Sequence, residues 1–377
     1  MITRNFPNLI GKSYFIFGPR GTGKSTFLKS TFPKALYIDL LKAGEFNSLL
    51  ADPSRLESKI PPKFKEFIII DEIQKIPNLM DEIHRLIVEK KFSFILTGSS
   101  ARKLKKSGSN LLAGRARSYR FFPFSIAELG TKFDFKKALQ FGLLPEAYGS
   151  QDSEHYLQSY IQTYLKEEID QEGLTRNLSG FSRFLETASF SQAQILNISN
   201  ISNECHVDRK VCENYFKILE DLLIAYRIPV FNKRAKRKLA VHQKFFYFDC
   251  GLYRALRPKG PLDLPEEIEG PAWETLLLQE IIAQNQFLNH QYEIYTWRTK
   301  KKVEVDFVLY GTRGILAIEV KRNSKFKIQD LTGLKSFKED YPQAKAFFLY
   351  GGKELLFEHN IQIIPYEHFL KNLKDYI

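Results

Sequence analysis

The sequence predicts an α/β fold in three parts: a parallel sheet with helices on both faces, a helical middle, and a second α/β unit toward the C-terminus. Three observations carry this. The first third alternates short, nearly continuous apolar runs with helical patterns, as strands buried on both faces do. From about residue 154 to residue 225 the pattern turns helical with no comparable run. After a stretch at 258–271 holding four prolines and two glycines, which reads as a linker or long loop, short strand-like runs return.

The first sheet is built from runs at 14–18, 35–40, 67–71 and 92–97. The last part has a helix at 273–288 and strands near 292–297, 304–309, 315–320 and 346–350. A chain of 377 residues has room for two or three domains. Its 56 Lys and Arg against 43 Asp and Glu leave a formal charge of +13, which points to a polyanion as partner or serves solubility alone. Three cysteines, Cys205, Cys212 and Cys250, fit neither a disulfide framework nor metal-ligand spacing, so a reducing cytoplasm is expected. There is no signal-peptide pattern, and no run reaches the ~18 apolar residues that span a bilayer, so no membrane partner is expected.

The string GPRGTGKST follows the run YFIF and opens a helical stretch, so it matches G-x-x-x-x-G-K-[ST] in strand–loop–helix context. Gly18, Pro19, Arg20, Gly21, Thr22, Gly23, Lys24, Ser25 and Thr26 are therefore the expected nucleotide-binding loop. The glycines let backbone N–H groups turn toward phosphate oxygens. Lys24 reaches the β and γ phosphates of ATP, and Ser25 offers its hydroxyl to Mg²⁺.

The run FIII ends in Asp71, placed at a strand's C-terminal edge to hold the Mg²⁺ shell, and Glu72 follows, positioned to polarise water. The alternative is an acidic pair at a helix N-terminus. The strand FSFILTGSS ends in small polar residues, of which Ser99, ahead of Thr97, is the candidate to sense a γ-phosphate; strand-end turn chemistry is the alternative. Arg115, and after it Arg117, stands just before the apolar run FFPF. An arginine there acts on a neighbouring subunit's phosphate or faces solvent.

Taken together, GPRGTGKS, FIIIDEIQKIPNL, FILTGSS, LAGRARSYRFFPFSIAEL and the later YTWRTKKKVEVDFVL…AIEVK resemble a large bacterial and archaeal family of AAA+ ATPases with a C-terminal domain of unknown function bearing restriction-nuclease-like motifs. The resemblance covers nearly the whole chain in order. It implies an ATPase core at 1–130, a helical lid or connector at 131–180, a winged-helix region at 181–260 and a nuclease-fold tail of the PD-(D/E)xK type at 261–377.

The middle supports this on its own residues. Two helical stretches flank a turn at His206-Val207, and Asp208 is a good N-cap for the second. Val211, Tyr215, Leu219, Leu222 and Leu223 follow helical spacing as its buried stripe, leaving Arg209, Lys210, Asn214 and Lys217 outward, as in a helix-turn-helix. Two strand-like runs around NKRAKRK then read as a wing. From Lys233 to Lys259 there are nine Lys or Arg against one acid, Asp249. Lys233, Arg234, Lys236, Arg237 and Lys238 are expected to meet DNA phosphates, with protein contact as the alternative use of such a module.

In the tail, Asp306 lies in VEVDFVL, and Glu319 and Lys321 end ILAIEVK, where i and i+2 share a face. Glu274 on the preceding helix adds a carboxylate. This is the D…ExK pattern: Glu274, Asp306 and Glu319 would hold Mg²⁺ or Mn²⁺, and Lys321 would orient water or steady charge. The same fold also serves as a DNA clamp without cleavage.

The expectation is an ATP-driven protein that remodels, moves on or processes duplex or branched DNA, working as a homo-oligomer with a ring as one form. The other readings are a nucleotide-controlled signalling or defence switch and a DNA-independent chaperone-like ATPase.

Overall fold

In the N-terminal region the apolar runs become strands because each presents hydrophobic side chains to both sides. The computed structural model describes residues 2–102, 104, 115–165, 169, 177–233, 242–261 and 263–377. Strands β1 (Ser13–Phe17), β2 (Leu36–Asp39), β3 (Ile68–Asp71), β4 (Phe94–Gly98) and β5 (Ala116–Arg120) form one sheet in the order β2-β3-β4-β1-β5. Every pair in it is parallel.

Alternate residues of these strands enter two cores. Tyr14, Ile16, Ile69 and Ile95 pack with Leu28 of helix α1 (Lys24–Thr31). Phe15, Phe17, Ile68, Ile70, Phe94 and Leu96 pack with Leu79, Ile83 and Leu86 of helix α2 (Leu79–Glu89). A sheet buried on both faces needs continuous rather than alternating hydrophobicity, which is what made the runs legible. β4 lies between the strand before the phosphate loop and the strand that ends in Asp71. The edge strand differs from expectation. The fifth strand is the half-exposed ARSYR, not the apolar run after it, so Arg117 sits within β5 and Arg115 just ahead of it, both exposed.

The chain forms two compact units. Thr3–Pro123 with Asp221–Leu223 make one, and Phe124–Glu220 with Ile224–Ile377 make the other.

The second unit begins with short helices and a small three-stranded sheet. Helices α3 (Leu178–Ser189), α4 (Ile198–Glu204) and α5 (Arg209–Asp221) accompany a small sheet of β6 (Gln194–Ile195), β7 (Ala225–Ile228) and β8 (Lys244–Tyr247), ordered β6-β8-β7. Rings of Phe181, Phe184, Tyr215, Phe216 and Phe245 interlock in its core. The buried side of α5 is Cys212, Tyr215, Phe216, Ile218 and Leu219. Val211, expected in that stripe, is 39% exposed, because Cys212 and Phe216 turn inward one position later. Leu222 and Leu223 lie past the helix end. Leu223, which belongs to the first unit, has a left-handed backbone and packs against that unit's core.

The second half of the stretch read as a linker is helix. Helix α6 (Pro265–Phe287) starts at a proline in its first turn, where a missing N–H costs nothing, and carries Glu266 and Glu267 there. Pro271 lies inside it, and Thr275 Oγ1 donates to the Pro271 carbonyl at 2.6 Å.

A six-stranded mixed sheet follows: β9 (Glu293–Arg298), β10 (Glu304–Gly311), β11 (Gly314–Lys321), β12 (Lys345–Tyr350), β13 (Leu356–Glu358) and β14 (Ile361–Pro365), ordered β13-β14-β12-β11-β10-β9. Leu331, Leu334 and Phe337, the last two from helix α7 (Thr332–Asp340), cover one of its faces. The small three-stranded sheet and this sheet are joined just after β7. Phe231 N donates to Thr296 O and Thr296 N to Pro229 O, beside β9, and Phe231 is buried in the tail's core.

Candidate nucleotide site and carboxylate cluster

The loop between β1 and α1 takes the conformation its glycines permit. Gly21 and Gly23 have φ of 80° and 88°, a region that side-chain-bearing residues avoid. A Cβ at Gly18 would stand 2.2 Å from the Phe121 carbonyl oxygen. Thr22 Oγ1 donates to Pro19 O at 2.8 Å, and Lys24 Nζ donates to the carbonyls of Gly18 at 2.6 Å and Pro19 at 3.0 Å. The loop is thus closed around the lysine, with the first N–H groups of α1 at its rim. Arg20, Gly21 and Ser25 are half-buried and Thr26 is exposed.

Asp71 is the hub of the opposite wall. Its carboxylate accepts from Ser25 Oγ at 2.7 Å, from Thr97 Oγ1 and from Tyr37 OH. Tyr37 lies across from Ile69, two residues before Asp71, so one face of the sheet presents both. Burial first, then the bond to Asp71, pushes the Tyr37 phenol well above its ordinary range. Ser25 and Asp71 fit a Mg²⁺–nucleotide: both are hard oxygen donors, and here they hold each other.

Glu72 has a left-handed backbone, φ 61° and ψ 43°, ahead of the turn Ile73–Lys75. Its carboxylate accepts from Gln74 Nε2, which also donates to Ser99 Oγ at 3.2 Å. Gln74 is buried against Gly98, where a Cβ would stand 2.1 Å from its Oε1. Three residues here escaped the sequence reading: Tyr37, Gln74, and Thr97 as the partner of Asp71. Ser99 meets Gln74 instead. Arg115 is exposed on the edge-strand side of the sheet.

On α5, Arg209, Lys210, Asn214 and Lys217 are all exposed, and Asp208 accepts from Lys210 N at 2.8 Å. Lys233 donates to Glu293 and lies 4.2 Å from the centre of the Tyr310 ring, so it is engaged with the tail. Arg234, Lys236, Arg237 and Lys238 lie outside the described residues.

The tail brings Glu274, Asp306, Glu319 and Lys321 together. Asp306 falls where the pairing of β10 with β9 shifts register between Val305 and Val308, an irregularity that redirects side chains. It precedes Phe307, which pairs with Ile318 of β11, and so stands opposite Glu319. Asp306 Oδ2 accepts from Val320 N at 2.9 Å, and Lys321 Nζ pairs with Glu319 Oε1 at 2.8 Å. The other Glu319 oxygen is buried with no hydrogen-bond partner among the described residues.

A residue outside the expected set completes the cluster. Lys244, at the start of β8, reaches Glu274 Oε2 at 2.5 Å and Asp306 Oδ1 at 2.9 Å, and is 5% exposed. The basic run was expected to meet phosphate; this lysine is buried among carboxylates. Gln192 locks the geometry, donating to Thr275 Oγ1 at 2.6 Å and accepting from Tyr247 N at 2.8 Å, which fixes α6 against β8.

Burial, then the Asp306 charge, pushes Glu274 and Glu319 each up to about 8. Burial would also raise Asp306, but Lys244 and Lys321 outweigh it and hold it below its ordinary value. Burial would lower Lys244, and the charges of Asp306 and Glu274 reverse that. Among the described residues no three His, Cys, Asp or Glu side chains are placed to hold one metal ion.

The parallel sheet, its phosphate loop and the acidic end of β3 define an AAA+ ATPase-like core. Residues 11–130 match the family described as AAA domain, while 132–263 and 269–369 match two domains of unknown function, DUF8612 and DUF4143. The chain is 22% identical over 342 residues to an uncharacterized protein of Haemophilus influenzae, covering 85% of this chain and 81% of that one. It is 23% identical over 328 residues to an uncharacterized protein of Methanocaldococcus jannaschii, covering 78% and 71%. Among solved structures, the Aeropyrum pernix ORC1 protein in complex with DNA is similar at 12% identity over 65% of this chain and 86% of that chain, TM-score 0.28. The ADP form of the ORC2 protein of the same organism is similar at 12% identity over 74% and 89%, TM-score 0.31. No helix among the described residues is long and apolar enough to cross a membrane.

Proposed function

We propose that this chain hydrolyses ATP with Mg²⁺ and uses the cycle to remodel, move on or process DNA. Lys24 holds the phosphates, Ser25 and Asp71 hold the ion, and Glu72 orients the attacking water. The observation that supports this most is the convergence of Ser25, Thr97 and Tyr37 on Asp71 beside a closed phosphate loop. Ser99, tied through Gln74 to Glu72, relays the state of the γ-phosphate. Arg115, exposed at the sheet's edge strand, acts on a neighbour's nucleotide, so the working form is a homo-oligomer, with a ring as one arrangement.

The winged helix grips duplex or branched DNA through Arg209, Lys210 and Lys217 on the open side of α5, and through the wing lysines and arginines. The nuclease-like tail contacts the same DNA, and the pairing of its carboxylates with Lys244 favours a clamp over a cutter. The test uses end-labelled single strand, duplex, fork and four-way junction with Mg²⁺, with and without ATP. Arms separated only with ATP and strands intact are the expected result. Shortened strands on a denaturing gel would make the tail a nuclease.

A second reading is a nucleotide-controlled signalling or defence switch that uses the winged helix for protein contact. The wing's base, packed into the tail through Phe231 and Lys233, favours it. Hydrolysis that no DNA stimulates, with no shift on any substrate, would move the assignment there.

A further inference from the structure

We infer that Lys244 is the resident cation of the tail's carboxylate cluster, standing where a divalent metal would stand and excluding it. A D…ExK site presents carboxylates that need a cation, and Glu274 and Asp306 are two of the three that an oxygen-seeking ion would take here. In this chain an ammonium bonds both, at 2.5 Å and 2.9 Å. Lys321 is spent on Glu319 at 2.8 Å. Three carboxyl groups therefore meet two ammonium groups, and even fully ionised they leave a single negative charge, less than a divalent ion would neutralise. Asp306 is further committed, since its second oxygen accepts the Val320 N–H.

The lysine is built into this position. It sits on β8 opposite Ile228 of β7, and Phe246, two residues on, packs its ring against Phe307 of β10. The Gln192 bridge holds α6, and with it Glu274, against the same strand. Withdrawing the ammonium would leave buried Asp306 and half-buried Glu274 without the cation they both bond, so the lysine and the carboxylates stabilise one another. The inference rests on this geometry, independently of whether the AAA+ core handles DNA.

The test is Mn²⁺ titration of the nucleotide-free full chain, followed by electron paramagnetic resonance and thermal unfolding, on wild type, Lys244→Met, Lys244→Met with Asp306→Asn, and Asp306→Asn alone. Wild type is expected to show no Mn²⁺ bound through Asp306. Lys244→Met is expected to gain one ion at least about tenfold tighter than any wild-type binding, with an unfolding temperature that rises with Mn²⁺. Adding Asp306→Asn should remove that ion.

Wild-type protein that binds one Mn²⁺, lost in Asp306→Asn alone, would overturn the inference, as would a folded Lys244→Met that gains none. If Lys244→Met does not fold, the wild-type and Asp306→Asn pair still decides. ATP hydrolysis in the same preparations reads the AAA+ proposal separately, because the tail variants leave the phosphate loop intact.

Discussion

Ser25 and Asp71, 46 residues apart in sequence, are joined by a 2.7 Å hydrogen bond from the serine hydroxyl to the carboxylate. This bond spans the two halves of the nucleotide site, with Thr97 and Tyr37 bonded to the same carboxylate. Replacing Ser25 with alanine is expected to lower Mg²⁺-dependent hydrolysis at least about tenfold, while Lys24→Ala should abolish turnover. Binding of a fluorescent ATP analogue with and without Mg²⁺ checks this. A Ser25→Ala protein whose nucleotide binding still responds fully to Mg²⁺ would contradict the assignment.

Glu72 and Gln74 make a second testable pair. Glu72→Gln should retain ATP binding and lose hydrolysis by about 10²-fold or more, as expected for a group that positions water. Gln74→Ala should lower kcat with little change in KM, since it removes one hydrogen bond from the Glu72 carboxylate without touching the loop. Equal turnover in both variants and wild type would assign the base elsewhere.

Thr97 and Ser99 separate by their partners. Thr97→Val leaves the Asp71 carboxylate with two hydroxyls and should resemble Ser25→Ala in its Mg²⁺ response. Ser99→Ala should instead resemble Gln74→Ala. Steady-state kinetics across a Mg²⁺ series distinguishes the two patterns.

The exposed cations of α5 predict salt-dependent DNA binding. Changing Arg209, Lys210 and Lys217 together to glutamine should weaken binding across sequences alike. It should also flatten the slope of log affinity against log salt by about 0.9 for each phosphate the protein no longer neutralises. An unchanged slope would remove this face from the interface and favour the switch.

Glu280 predicts a pH effect on stability. Its side chain is buried, one oxygen accepts Ile126 N at 2.9 Å, the other has no hydrogen-bond partner among the described residues, and burial pushes its pKa from 4.5 up to about 8. Between those values the folded chain keeps a proton that the unfolded chain has released. This group therefore stabilises fully below pH 4.5, and its contribution declines as pH rises toward 8, by at most about 1.4 kcal/mol per unit. Glu280→Gln keeps the acceptor and cannot ionise. Its urea midpoint should fall less than wild type's between about pH 5 and 8, and parallel curves would refute this.

The sequence by itself determined the phosphate loop, the acidic end of β3 and four of the first sheet's strands. The reason is that these features are local: a loop with fixed glycines, and strands whose two buried faces write continuous apolar runs into the chain. The face of α5 that carries Arg209, Lys210 and Lys217 was legible for the same reason, through its helical period. Only the tertiary structure decided who partners whom. Tyr37 and Gln74 carry no mark of their roles, because hydrogen bonding to Asp71 and Glu72 depends on strand register and on a left-handed turn. Pro265 and Pro271, which signalled a break, lie within α6, whose buried leucines override propensity. Lys244 read as one more member of a basic run, since charge in a sequence says nothing of burial. Its place between Glu274 and Asp306 follows from the packing of β8 against α6 and β10, which brings together residues 30 and 62 positions away.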